Sequence, residues 1–438
     1  MENRMEDKKT EGLLPLLISI AAAVMYFVSD PTLEWAYPMY STYRIQTLVW
    51  LARRAILILV YGACLVWFLH LKKQGKRMQF GVIGPLLLLY AGYLIASIVN
   101  SGTEQLVHWA DVVMTSIVPM LLFCLMCSSE NSTKRWIHVL SAGYLVLLVL
   151  NVVFYYFPQL YVGEAKQWRE VFFLGSKNRA GWPVMLGLFF GTLHDRLGGK
   201  KWELVLFLIL ATANALLIHS AMTLIGIFFF LVFAVLPVTR NLAEKADLAV
   251  LVLLIMILFV VLMWFLLPIT TSRPVVAVLE MLGKDPWLSD RYAVWLFAME
   301  IILERPFLGY GLQADSSFIP HFNDYGINLH HGHNEMVQTL YEGGLLTLVL
   351  ALLMLFYTAK RLRGSGRSAV AAVCKVALFT FLLMLQADFI PYYCWYMVAL
   401  LANCAVLLAS PMQEESFSDL LTGFMGHKTK VHSAVEAE

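Results

Sequence analysis

The residues able to do chemistry lie together in one polar stretch, from Arg291 to Gly344, which interrupts an otherwise apolar chain. The stretch begins with an arginine and contains a cluster of three histidines, His330, His331 and His333. A neutral imidazole can act as a general base at physiological pH. An arginine can bind a diphosphate and stabilise the negative charge that develops on it as it leaves. This combination suits the transfer of a sugar from a lipid diphosphate to a hydroxyl group.

The histidines also admit other roles. The His-His-x-His pattern at 330–333 offers nitrogens to a metal, but it lacks the spacing of HExxH or paired CxxC sites, so we expect no metal. Any single histidine could instead cap a helix or form a structural hydrogen bond. Cys124 and Cys127 form one CxxC without a second pair or a nearby histidine. These two cysteines are therefore predicted to pack in the core.

A polar stripe follows the histidines on the next predicted helix. At 3.6 residues per turn, Glu335, Gln338 and Glu342 point within about 60° of one another. A carboxylate that lies one or two turns inside a membrane needs a partner or a water-filled cavity. The stripe is therefore predicted to line a site and not to face lipid. The glycine pair at 343–344 is predicted to let helices pack closely.

The segments around the histidines predict the local structure. Residues 287–303 have the length and apolar content of a surface helix, and Pro306 follows its end. Gly309 and Gly311 predict a turn. Asn334 precedes an apolar run and is predicted to be the N-cap of the next helix.

A second cationic group lies in the segment 174–181, before another predicted helix. Its glycine predicts a turn that feeds the helix, and backbone N–H groups at a helix start favour anions. Lys177 and Arg179 would reinforce this preference. The alternative is an ordinary loop in which an arginine reaches the lipid phosphates.

The composition indicates the elements that must position these groups. Of the 438 residues, 60% are hydrophobic and only 14% are charged, whereas soluble domains carry roughly 25% charged residues. The chain is therefore predicted to be an all-α, polytopic integral membrane protein. A crossing helix needs about 20 apolar residues, and about twelve segments qualify as transmembrane helices: 12–29, 50–70, 79–99, 110–127, 136–157, 180–194, 202–219, 221–238, 248–268, 335–357, 371–388 and 394–410.

The placement of Lys and Arg predicts the orientation of these helices. Basic clusters recur at alternate connections, which places both termini in the cytoplasm and the polar loop outside. No cleaved signal peptide is expected. The predicted parts are a transmembrane bundle of about nine spans (1–268), an extracytoplasmic catalytic loop with short helices (269–334), C-terminal transmembrane helices (335–410) and a cytoplasmic tail (411–438).

Further charged groups are predicted on the outer side. Arg53 and Arg54 lie at the start of a predicted span, where a charge is costly without a partner or a cavity. Cations gathered on one face favour a polyanionic headgroup such as the diphosphate of a lipid-linked sugar; some of them would instead reach lipid phosphates. The remaining polar groups, His108, Asp111 and Asp388, are predicted to cap or to pack.

The order of these motifs resembles that of the O-antigen ligase and O-antigen polymerase (WaaL/Wzy-like) superfamily. The matching motifs are R-x-x-x-W from Arg291, P-F-L-G-Y-G from Pro306, H-N from His333 and Y-E-G-G from Tyr341. Asn178 also resembles a position of this family. The resemblance extends over residues 170–360, and elsewhere it rests on topology alone.

The resemblance implies a GT-C-like membrane glycosyltransferase that needs no metal and no cofactor. Such enzymes use an undecaprenyl-diphosphate-linked glycan as donor substrate on the outer face of the cytoplasmic (inner) membrane. They act in the biosynthesis of surface polysaccharides of the cell envelope, such as O-antigen, capsule or exopolysaccharide. A ligase joins the glycan to a lipid A-core acceptor, whereas a polymerase extends it by a repeat unit.

The resemblance also assigns roles to residues of this chain. Arg291 takes the place of the arginine that binds the diphosphate, and His333 takes the place of the histidine that activates the acceptor hydroxyl. Glu342 joins them as the third expected catalytic residue. Substrate contacts are expected from Arg179, Lys177, Asn178, Asn334, Glu335 and Gln338.

One position departs from the family pattern. Many members carry an arginine after a serine near the outer end of the seventh or eighth span, whereas here Ser220 is followed by Ala221. The diphosphate contact expected there must come from another residue, such as Arg179, Lys177 or Arg53.

The alternative function is that of a transporter or flippase for a lipid-linked anion, which would also use cations and intramembrane carboxylates. It predicts internal repeats and broken helices in both halves, and the sequence shows no such symmetry. A cell-wall polymerase of the shape-elongation-division type is a third candidate, which the H-N and E-G-G motifs disfavour. The expected partners are membrane lipid, the lipid-linked glycan, and a polysaccharide chain-length regulator or a flippase; no nucleic acid is expected.

Overall fold

Helices dominate the part of the chain that the computed structural model describes, namely residues 2–33, 43–75, 79–100, 103–157, 171–176, 179–270, 272–281, 291–312, 332–363, 369–387 and 395–409. The helices are α1 (Glu2–Ser29), α2 (Tyr43–Lys73), α3 (Ile83–Val99), α4 (Thr103–Met126), α5 (Glu130–Tyr156), α6 (Gly181–Arg196), α7 (Lys201–Leu217), α8 (Ala221–Phe230), α9 (Pro237–Lys245), α10 (Leu248–Thr270), α11 (Arg273–Met281), α12 (Arg291–Glu304), α13 (Glu335–Arg363), α14 (Ala369–Met384) and α15 (Tyr396–Ala409). Each of the segments predicted to cross a membrane holds one of them.

The helix boundaries follow local sequence signals. Ser129 begins α5 by accepting a hydrogen bond from the backbone N–H of Ser132, and Ser220 begins α8 in the same way, as expected of N-caps. Leu231–Val235 continues α8 as a π-helical turn. Pro237 then opens α9 at a position where its missing N–H costs nothing.

Within the described ranges, five helices are long and apolar enough to cross a membrane: α2, α4, α5, α10 and α13. The bent pair formed by α8 and α9 is a sixth if it counts as one span, and α1, α3, α14 and α15 hold apolar stretches of 10–17 residues. The chain is a multi-pass membrane protein. The predicted number of about twelve spans is not confirmed. Several of the predicted segments hold apolar helices that are shorter than the about 20 residues needed to cross a bilayer.

The core is organised around α13, which packs most extensively against α3. Gly92 allows this close approach, because a methyl group there would lie 2.9 Å from a methyl carbon of Leu350 and 3.1 Å from the hydroxyl oxygen of Thr347. Helices α14 and α15 pack on each other, and α15 also contacts α13. N-terminal and C-terminal helices therefore share one apolar core, through which α13 carries its polar residues.

A short hairpin precedes α6 and is the exception to the all-α prediction. Strands β1 (Val171–Phe172) and β2 (Gly175–Ser176) pair in antiparallel fashion. Gly175 has a φ of 119°, which confirms the predicted glycine turn. The side chain of Asn151 on α5 holds the hairpin by accepting a hydrogen bond of 3.0 Å from the N–H of Leu174.

Candidate active site

His333 lies in the three-residue segment that leads into α13. Its φ of 49° places it in the left-handed region, which non-glycine residues adopt only when their surroundings hold them there. Two hydrogen bonds hold the residue before it. The indole of Trp295 donates to the carbonyl of Gly332 at 2.8 Å, and the Gly332 N–H donates to the side-chain oxygen of Gln338 at 3.1 Å. The backbone that presents the imidazole is thus fixed from α12 on one side and from α13 on the other.

Asn334 fixes the segment on its other side. Its side-chain oxygen accepts hydrogen bonds from the N–H groups of Met336 at 2.9 Å and Val337 at 3.2 Å, which confirms the predicted N-cap. Its side-chain amide also donates to the carbonyl of Gln386 at 2.8 Å. The cap therefore ties the start of α13 to the end of α14.

Arg291 is the first residue of α12, and its guanidinium donates to the carbonyl of Ala387. The carbonyl of Leu385 accepts the N–H of Glu335 at 3.0 Å, and that of Gln386 accepts the Asn334 amide. Three successive carbonyls after α14 therefore bind Arg291, Asn334 and Glu335. Carbonyls at a helix C-terminus carry partial negative charge, which suits an arginine.

The proximity of Arg291 and His333 affects the charge of the histidine. Burial, and after it the positive charge of Arg291, lowers the pKa of His333 to about 4. Both effects disfavour a second positive charge at this place. The imidazole is therefore neutral at physiological pH, with a nitrogen lone pair able to accept a proton.

The polar stripe on α13 lies inside the protein and not on its lipid-facing surface, as predicted. Glu335, Gln338 and Glu342 are all buried. Gln338 donates from its amide to the Glu342 carboxylate at 2.8 Å, while its oxygen holds Gly332. Glu335 takes a different direction, since its carboxylate accepts the N–H of Trp395 at 3.1 Å. Glu342 thus reaches the histidine segment through Gln338.

The helix carrying this stripe is broken at Gly344, which has a φ of 63° and a ψ of −166°. The predicted close approach at the glycine pair occurs, but it is made by a turn and not by a second helix. A methyl group on Gly344 would lie 2.3 Å from the backbone carbon of Phe307. The expectation that the glycine pair packs against another helix is therefore wrong. The break in α13 frees backbone groups from the helix, and the turn binds them.

The turn in question is the predicted one at 306–311. Tyr310 and Gly311 donate their N–H groups to the carbonyls of Tyr341 and Glu342, each at 2.8 Å. In return, Leu345 donates to the carbonyl of Pro306 at 2.8 Å. These bonds replace those that the helix loses at its break. The P-F-L-G-Y-G and Y-E-G-G motifs therefore form one interlocked unit that sets the position of Glu342.

The second predicted anion site is described only in part. Arg179 lies just before α6, and its carbonyl accepts the N–H of Trp182 at 3.1 Å. Lys177 and Asn178 lie outside the described residues, as do His330 and His331. Asp388 also lies outside them.

The cations near the start of α2 are held by partners. Arg54 forms an ion pair with Asp111, so this aspartate serves as a counter-charge and not as the predicted cap. Arg53 is buried and donates to the carbonyls of Ser29 and Asp30, both at 3.2 Å. The structure assigns both arginines a role in joining α2 to its neighbours.

Residues 206–352 match the family model described as O-antigen ligase. This region of the chain is similar to the O-antigen ligase family and is called the O-antigen ligase domain. This domain extends from α7 into α13 and contains Arg291, His333 and Glu342. Members of the family are membrane glycosyltransferase-like ligases. No curated protein matches the chain.

The O-antigen ligase domain also covers the position at which the chain departs from the family pattern. The hydroxyl of Ser220 accepts bonds from the N–H and the hydroxyl of Thr223, at 3.3 Å and 2.8 Å. Ser220 therefore acts as a helix cap here. Arg179, with the adjacent residues proposed to bind substrate, precedes the matched range.

The sequence analysis assigned no role to some residues that build the site of the domain. Trp295 lies one helical turn after Arg291, so the spacing of the R-x-x-x-W motif was its signal. The carbonyls of Gln386 and Ala387 had no signal, because every residue has a carbonyl. The contact between Trp395 and Glu335 had no signal either, because the two residues lie 60 positions apart in the sequence.

Proposed function

We propose that this protein is a membrane glycosyltransferase that transfers or polymerises an undecaprenyl-diphosphate-linked glycan at the outer face of the cytoplasmic membrane. The observation that carries the proposal is the placement of Arg291 beside a neutral His333 within an O-antigen ligase domain. The acceptor is either a further glycan, as for a polymerase, or a lipid A-core, as for a ligase.

The proposed reaction assigns one step to each group. His333 accepts the proton of the acceptor hydroxyl, whose oxygen forms a bond to the anomeric carbon of the donor sugar. The bond from that carbon to the diphosphate oxygen breaks, and its electron pair leaves with undecaprenyl diphosphate. Arg291 stabilises the charge on this leaving group. The proton on His333 then passes to water, which restores the neutral imidazole.

The remaining residues serve this step by position. Gln338, held by Glu342, and Trp295 fix the backbone of Gly332 next to the base. Arg179, Lys177 and the other expected substrate contacts remain proposals for binding the donor. Neither metal nor cofactor is required in this scheme, because the arginine supplies the positive charge.

The topology belongs to the same proposal. The helices α1 to α8, α10 and α13 to α15 are proposed to form about twelve spans, the shorter ones being tilted or accommodated by local thinning of the bilayer. Both termini are then cytoplasmic, and His333 faces outward. The alternation of basic clusters along the sequence supports this orientation.

The charge of the donor is expected to change the basicity of His333. In the free protein the pKa of His333 is about 4, partly because of Arg291. A bound diphosphate neutralises that arginine, so the pKa of His333 should rise by roughly 1 unit or more in the complex. The acid limb of the kcat/KM profile reports the pKa of the base in the free enzyme, and the acid limb of the kcat profile reports its pKa in the complex. The acid limb of kcat should therefore lie at higher pH than that of kcat/KM.

Measurement of both pH profiles checks this expectation. Activity at low donor concentration should persist as the pH falls from 7 to about 5, because the neutral imidazole is retained well below its usual pKa of about 6.5. A histidine NMR titration identifies the group, since its resonance should be absent from His333→Asn. Coincident limbs near pH 6.5 would contradict the proposed coupling.

The purified chain in liposomes, supplied with an undecaprenyl-diphosphate oligosaccharide, tests the function itself. We expect new glycosidic bonds and an equal amount of free undecaprenyl diphosphate, with no loss of rate when EDTA removes divalent metals. A ladder of repeat units identifies a polymerase, and a single transfer to a lipid acceptor identifies a ligase. Movement of the donor across the bilayer without new glycosidic bonds would instead show a transporter.

A further inference from the structure

A cavity of about 270 Å³ lies at the end of α13 that is remote from His333. After its break at Gly344, α13 continues through residues 345–363, roughly 28 Å at 1.5 Å per residue. The cavity is enclosed by the last turn of α13, the end of α9, the start of α10, and α14. It is therefore separate from the candidate active site, and the proposed topology places it at the opposite membrane surface.

Lys375 is the most buried charge of this cavity, with 8% of its surface exposed. Its ammonium group donates to the carbonyls of Glu244 and Ala246, each at 2.8 Å. These carbonyls end α9, where the helix carries partial negative charge. An ammonium group has three N–H donors. Carbonyls of the described residues bind two of them, so one N–H remains to bind a ligand.

Cations outnumber carboxylates around the cavity. Arg363 binds Asp247 at 2.7 Å, and Arg240 binds Glu244 at 3.3 Å. Lys375 and Lys245 also line the cavity. Among the described residues that line the cavity, three cations (Lys245, Arg363 and Lys375) face two carboxylates (Glu244 and Asp247), so the excess positive charge favours an anion.

The helix next to the cavity has the character of one that lies in a membrane surface. The axis of α9 is bent by 88° from that of α8. Val238 and Leu242 on α9 are 89% and 61% exposed, while Arg240 and Lys245 lie on the same short helix. Amphipathic helices of this kind lie at the boundary between headgroups and acyl chains. The cavity lies beside this helix, because Glu244 and Lys245 of α9 line it.

We propose that this cavity binds the phosphate headgroup of an anionic glycerophospholipid from the surrounding bilayer. Basic pockets between transmembrane helices bind such headgroups by hydrogen bonds and charge. Lys245, Arg363 and Lys375 would contact the phosphate, and the exposed apolar residues of α9 would contact the acyl chains. The bound lipid would fix α9 against α13 and α14. The proposal depends on the membrane location and not on the proposed reaction.

The full-length chain in phosphatidylcholine nanodiscs, with and without phosphatidylglycerol, tests the proposal. We expect phosphatidylglycerol to raise the Tm and to remain bound in native mass spectra. Lys245→Gln should weaken its binding about fivefold, as expected for loss of one cation near a headgroup. Asp247→Asn should strengthen it, because removal of this carboxylate leaves Arg363 for the phosphate. Lys201→Gln is the matched control, since Lys201 begins α7 and does not line the cavity.

Several results would overturn the proposal. An equal Tm in both lipid mixtures would exclude a preference for anionic headgroups. An equal loss of binding in Lys201→Gln and Lys245→Gln would show a general surface charge effect and no site. Stabilisation by inorganic phosphate alone, to the extent seen with phosphatidylglycerol, would indicate a soluble anion in place of a lipid.

Discussion

Replacement of His333 by Asn is expected to lower the rate of glycan transfer by about 10²- to 10⁴-fold, the usual contribution of a general base. Asparagine is chosen because it tolerates the left-handed backbone conformation that His333 adopts, with its φ of 49°. The variant therefore removes the proton acceptor without adding backbone strain. Transfer is measured on the purified protein in liposomes, by release of undecaprenyl diphosphate.

Two further variants separate chemistry from folding. His138→Ala changes an exposed histidine that contacts His194. Both residues are distant in sequence from the candidate active site, so activity should be retained. Arg291→Ala should abolish transfer as well, because the leaving diphosphate loses its counter-charge while the protein still inserts into the membrane. Activity close to that of the wild type in His333→Asn, with normal membrane insertion, would refute the assignment of the base.

Replacement of Gly344 by Ala is expected to lower both stability and activity. The φ of 63° and ψ of −166° at this residue lie in a region that essentially only glycine adopts, so the strain alone costs about 1–3 kcal/mol. The added methyl group would also lie 2.3 Å from the backbone carbon of Phe307. The turn would have to move, and Glu342 and Gln338 with it. Misplacement of a site by about 1 Å can cost a factor of roughly 10² in rate.

The Tm and the transfer rate of Gly344→Ala should fall together. Gly309→Ala changes the same contact from the other side, since its methyl group would lie 2.4 Å from the carbonyl oxygen of Tyr341. Gly62→Ala is the matched control: Gly62 lies within α2, and no atom lies within 4 Å of the added methyl group. That variant should keep its activity and gain slightly in helix stability. If Gly344→Ala behaves like Gly62→Ala, the interlocked turn does not support the site.

Local features of the site were predictable from sequence. The N-cap role of Asn334 depends only on an asparagine next to an apolar run, and the hydrogen bonds of its side chain confirm it. The turn at 306–311 was likewise signalled by its glycines. The orientation of the α13 stripe followed from helical periodicity, because residues three and four apart share a face.

Other features depend on partners that are distant in sequence. The break at Gly344 is stable because the turn at 306–311 binds the freed backbone groups, and nothing within α13 reveals that contact. Glu335 lies on the predicted stripe, yet the N–H of Trp395 draws it away from Gln338 and Glu342. The number of spans also resists prediction, because several apolar helices are shorter than a bilayer is thick.

The sequence by itself determined that this is a helical membrane protein, where its apolar helices lie, and which arginine and histidine are the candidates for chemistry. Composition and periodicity suffice for the first two, because they reflect whether each residue prefers water or lipid. The choice of Arg291 and His333 rests on the resemblance of the motifs to those of the O-antigen ligase family. Only the tertiary structure decided that Arg291, Asn334 and Glu335 meet at three successive carbonyls after α14. Backbone carbonyls are the same in every residue, so their use as a binding edge leaves no mark in the sequence.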